Sequence, residues 1–82
     1  MLKENQALAE KLYLGVLKND PSYADTYRDL GFLYEQQGKY TDAAAQYRHY
    51  LAMVSGTSLD HRRVELRLAN VQKLISLAPS AQ

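Results

Sequence analysis

Apolar residues recur along this chain at intervals of three and four, and no stretch alternates in twos over the length of a strand. That period is the helical one, so the pattern predicts an all-α protein. Four helical stretches separate at punctuation. The first spans about Lys3 to Asn19 and stops before Pro21, because proline disfavours helical geometry in the residue preceding it. Its main apolar stripe is Leu8, Ala9, Leu12, Tyr13, Val16 and Leu17. Ala7 and Leu14 lie on a second side, and a helix with two apolar sides expects two neighbours.

The second helix starts near Tyr23 and ends before Gly38, with Ser22 and Asp25 at capping-box spacing and Gly38 placed for a left-handed stop. Its stripe is Tyr23, Tyr27, Leu30, Gly31 and Tyr34, and Phe32 points away from it. The third, about Thr41 to Val54, turns Ala43, Tyr47, Tyr50, Leu51 and Val54 inward. A break at 55–58 offers Thr57 and Asp60 as a second capping box. The fourth helix, about Leu59 to Leu77, carries His61, Val64, Leu68, Val71 and Ile75, and the last five residues should fray. Links this short force neighbouring helices to run antiparallel.

Gly31 is the anomaly, since a glycine inside a helix costs about 1 kcal/mol against alanine. Its setting is Tyr27-x2-Leu30-Gly31-x2-Tyr34, then Ala43-x3-Tyr47. Shifted by 34 residues the chain partly matches itself: Ala9 falls on Ala43, Tyr13 on Tyr47, Leu17 on Leu51, Tyr27 on His61, Leu30 on Val64 and Tyr34 on Leu68. An earlier partial unit supplies Ala9-x3-Tyr13 and ends on Pro21, whereas Ser55 stands where a proline is usual.

In these residues the chain resembles the tetratricopeptide repeat family over about residues 5–57, and more loosely to 77. The resemblance implies antiparallel hairpins stacked as a short right-handed solenoid of four helices within one domain. Residues 3–19 would be the second helix of a partial repeat, 23–54 a full repeat, and 59–77 a terminal capping helix. Gly31 and Ala43 would then face each other where the hairpin helices cross, with tyrosines filling the space on either side. Glu65, in the glycine's place, suits a last helix that has no hairpin partner.

The resemblance also implies a concave groove that binds protein or peptide. Its matching positions are Asp25, Arg28, Asp29, Phe32, Glu35 and Gln36, with Arg62, Arg63, Leu66 and Asn70 on the last helix. Two places stay open to Phe32: the groove, or packing on a neighbouring helix. Arg28, Arg62 and Arg63 would either clamp a partner's carboxylate or form a solvated face. Relatives that grip a C-terminal carboxylate pair a lysine with an asparagine, and Phe32 occupies that asparagine's place here.

Composition narrows the function further. An apolar fraction of 46% with 23% charged residues is that of an ordered globular chain, and 82 residues allow one domain. Net charge is +1, which makes no electrostatic case for nucleic acid or an anionic membrane. Without cysteine there are no disulfides or thiolate metal sites. No apolar run is long enough to span a membrane, and residues 1–11 lack a signal peptide's apolar core. His49 and His61 do not share a ligand spacing, and His61 sits on the inward stripe, where packing is its expected task. No nucleophile, phosphate loop or cofactor motif emerges, and the tyrosines read as core filling.

The expected function is therefore a noncatalytic interaction or scaffolding module with no cofactor. Two alternatives stand beside it. The hairpin followed by 59–68 is similar to noncatalytic repeat tails of bacterial envelope metallopeptidases and lipoproteins. The other is self-association, expected as a homodimer through the first helix because Ala7 and Leu14 lack a partner.

Overall fold

The computed structural model describes residues 3–54, 56 and 58–77 of the chain. Four helices follow in order, α1 (Lys3–Asn19), α2 (Ala24–Gln36), α3 (Tyr40–Met53) and α4 (Leu59–Leu77), with no strand among the described residues. Each packs on the next. The α2–α3 hairpin has the most extensive contact, α3–α4 follows, and α1 touches α2 over a smaller area.

Local chemistry sets the helix ends. At the close of α2, Gly38 takes φ +77°, a conformation that glycine adopts without penalty. The Lys39 N–H then donates to the Tyr34 carbonyl at 2.9 Å and Gly38 N–H to that of Glu35 at 3.0 Å, which satisfies two orphan acceptors. The expected Ser22–Asp25 capping box does not form. Because α2 begins at Ala24, Ser22 falls one residue too early, and Tyr23 holds the cap position without a side-chain bond. Ser22 instead gives its N–H and hydroxyl to Asp20 Oδ1, at 3.1 and 2.6 Å, so Asp20 builds the turn. Thr57, named for the next capping box, lies outside the described residues, as do Ser55 and the C-terminal residues 78–82. At α4 the cap acceptor is Ser58, whose Oγ receives the His61 N–H at 3.0 Å.

The core is Leu30, Tyr34, Ala43, Ala44, Tyr47, Tyr50, Val64 and Val71, with Tyr27, Leu51, Val54, Leu68 and Ile75 packed on its margin. Leu33, Thr26 and Ala44 are buried although they lie off the stripes expected from periodicity, and Tyr23 is exposed. Gly31 does face α3, and the atoms nearest to it there belong to Tyr47. A methyl built on Gly31 would fall on the Tyr47 ring, 2.5 Å from Cδ1 and 3.0 Å from Cζ. Glycine leaves room there for an aromatic ring to press against α2.

In α1 the expectation is corrected. Ala9, Tyr13 and Leu17 are partly buried, and the Tyr34 hydroxyl donates to Glu10 Oε2 at 2.9 Å across the α1–α2 contact. Leu8, Leu12 and Val16, read as part of the same stripe, are instead 56%, 61% and 36% exposed. One helix, α2, cannot cover a stripe that wide.

Candidate functional site

Phe32 organises the face that α1, α2 and α4 share. It is half-buried, with its ring edge-on to Tyr47 at 5.8 Å between centroids. On the solvent side the Arg67 guanidinium lies 4.8 Å from the Phe32 ring centre, within cation–π range. The ring is anchored by Tyr47 and still borders two depressions.

The first depression, about 160 Å³, is lined by Ala9 and Tyr13 of α1 and by Asp29, Phe32, Leu33 and Gln36 of α2. The second, about 480 Å³, lies between α2 and α4 and is lined by Phe32, Arg63, Leu66 and Arg67. Five of the ten expected groove residues therefore border these clefts: Asp29, Phe32, Gln36, Arg63 and Leu66. Arg62 and Asn70 are exposed but border neither.

Three others are engaged within the fold. Arg28 bridges α2 to the start of α4, with Nη1 3.1 Å from Asp60 Oδ2 and 3.6 Å from Asp25 Oδ1, and Nε 3.3 Å from Asp29 Oδ1. Burial lowers its pKa, but Asp29, Asp25 and Asp60 outweigh that and the net shift is upward. Glu35 Oε1 accepts from the Tyr47 hydroxyl at 2.7 Å and from Arg67 Nε at 3.2 Å, so α2, α3 and α4 meet on one carboxylate oxygen. Burial first, then the bond to Glu35, pushes the Tyr47 phenol well above its ordinary pKa. The bond to Tyr47 chiefly, with Glu35, raises that of Arg67 against the effect of burial.

Arg67, Ala9, Tyr13 and Leu33 were missed as lining residues. Arg67 sits one residue from a repeat-derived position, and only its contact with Glu35, 32 residues earlier, brings it over Phe32. No signal within α4 announces that. Only Nε of Arg67 is engaged, and its terminal nitrogens make no hydrogen bond among the described residues. Arg63 makes no ion pair among the described residues, whereas Arg67 is paired with Glu35. The second cleft therefore sets Phe32 and the exposed Leu66 beside Arg63 and the solvent-facing edge of Arg67, whose Nε is held by Glu35.

His61 is buried, with Nδ1 3.6 Å from Glu65 Oε1. His49 stacks on Tyr27 at 4.9 Å between centroids, so the two histidines serve different contacts. Among the described residues no three His, Cys, Asp or Glu side chains gather as a metal site, and no helix is long and apolar enough to cross a membrane.

Residues 12–45 match the family model of the tetratricopeptide repeat. That window opens within α1, contains all of α2 and closes within α3, and its 34 residues equal one period. No curated protein and no solved structure matches the chain.

Proposed function

We propose that this chain, which carries a tetratricopeptide repeat over residues 12–45, is a noncatalytic module that holds a protein or peptide segment in the groove floored by α2. Repeats of this family generally mediate protein–protein interaction. The single observation that carries the reading is Phe32, an aromatic ring kept at the surface by Tyr47 beneath and Arg67 beside it, with a cleft on each side. A partner's apolar side chain fills the α2–α4 cleft against Phe32 and Leu66, and an adjacent acidic group meets Arg63 and the free edge of Arg67. Arg28 and Glu35 support the groove rather than contact the ligand, because Asp60 and Arg67 already occupy them.

Peptide display against the chain tests this, with Phe32→Ala and Arg63→Glu as counter-screens and circular dichroism as the fold control. Selected peptides should pair an apolar residue with an acidic one. They should lose at least tenfold in affinity on either variant while helix content stays near wild type. Peptides that bind both variants as well as wild type would refute the groove. Unfolding of Phe32→Ala would assign that ring to the core instead.

A further inference from the structure

The uncovered strip of α1 is symmetric about Leu12. Leu8 and Val16 lie four residues on either side of it, and Asn5 and Asn19 lie seven. The small residues Ala9 and Gly15 stand three away on opposite shoulders, and a Cβ on Gly15 would meet nothing within 4 Å. At helical period all of these fall on one face, and that face carries no charged side chain. It adjoins the α2-facing side at Ala9, which also borders the α1–α2 cleft, and leaves out Tyr13, Leu17 and Glu10, which are engaged with α2.

We infer that this face is the binding site for a second copy of the chain, with two α1 helices antiparallel about a two-fold axis at Leu12. Such pairing sets Leu12 on its own counterpart, Leu8 on Val16 of the other copy, and Asn5 level with the other Asn19. Apolar meets apolar at each step, the polar residues meet at the ends, and no charge is buried. The shoulders at Ala9 and Gly15 let the backbones approach closely. A face that reads the same in both directions is what a two-fold contact requires, since each residue must suit its mate's position as well as its own.

Two helices paired over about 20 Å bury on the order of 800–1,000 Å² in total, the low edge of specific interfaces. An interface of that size makes a weak, concentration-dependent dimer.

Sedimentation equilibrium from low micromolar to near millimolar chain concentration tests the pairing, because charge at position 12 meets itself. Leu12→Glu and Leu12→Lys should each raise the dissociation constant at least tenfold. An equimolar mixture of the two should recover a dimer at least tenfold tighter than either alone. Leu14→Glu, which also changes an exposed leucine of α1 but off the strip, should leave association unchanged. Circular dichroism should be near wild type throughout, since Leu12 is already exposed. A wild-type monomer across the whole range would overturn the inference. So would Leu12→Glu dimerising like wild type, a mixture no tighter than its components, or dissociation caused by Leu14→Glu.

Discussion

Gly31→Ala adds one methyl group and should damage the fold far beyond its size. The methyl would sit 2.5 Å from Tyr47 Cδ1 and 3.0 Å from Cζ, closer still to Cε1, whereas carbon atoms in contact prefer about 3.5–4.0 Å. The ring must therefore shift by roughly 1 Å, and it has nowhere to go. Tyr47 is fully buried, Phe32 packs edge-on against it, and its hydroxyl is tied to Glu35 at 2.7 Å. Alanine regains about 1 kcal/mol of helix propensity. Against that, overpacking costs about 1–3 kcal/mol. Pulling the hydroxyl off a charged acceptor costs about 1.5–3 kcal/mol more. The net loss is about 1.5–5 kcal/mol, or a fall in Tm of roughly 6–40 °C for a domain of this size. Thermal and urea unfolding by circular dichroism at low micromolar concentration measure it. Gly15→Ala is the matched control, because nothing lies within 4 Å of its new methyl and only the propensity gain of about 1 kcal/mol remains. In a Tyr47→Leu background the Gly31→Ala penalty should fall below about 1 kcal/mol. A Gly31→Ala chain as stable as wild type, or an undiminished penalty in that background, would refute the contact.

Glu35→Ala should cost about 1.5–3 kcal/mol, because it strands the buried Tyr47 hydroxyl, and a double-mutant cycle with Arg67→Ala should give a coupling above about 0.5 kcal/mol. Burial, and then the bond to Glu10, pushes the Tyr34 phenol from 10.0 up to about 12. Its folded pKa is raised, so its stabilisation is complete below pH 10 and is lost as pH climbs towards 12, a difference of about 2–3 kcal/mol. Urea unfolding at pH 9 and 11 should accordingly show a smaller alkaline loss for Tyr34→Phe than for wild type; equal losses would sink the assignment. Ser58→Ala removes the α4 cap and should cost about 1 kcal/mol, whereas Ser22→Ala, whose hydroxyl caps no helix, should cost about half that or less.

The residues that border the two clefts were only half legible before the tertiary structure. Phe32 stood out because it is the aromatic that leaves the stripe of its own helix, and the repeat register placed Arg63 and Leu66 beside it. Arg28 looked just as free, yet Asp60 claims it from 32 residues away, and local sequence carries no mark of so distant a pair.

The sequence by itself determined what depends on near neighbours along the chain. Helical period, Pro21 and Gly38 fix the four helices to within a residue or so, since hydrogen bonds to the fourth residue and one left-handed turn are local events. The 34-residue echo likewise fixed the order in which helices stack. Tertiary structure decided which surface each helix hides. Periodicity shows that α1 has an apolar stripe but not how wide a neighbour covers it, and α2 reaches Tyr13 and Leu17 while leaving Leu8 and Leu12 in water. It also decided that the Tyr47 ring fills the space left by Gly31, because a close approach between helices is set by their crossing and by the ring that fits it.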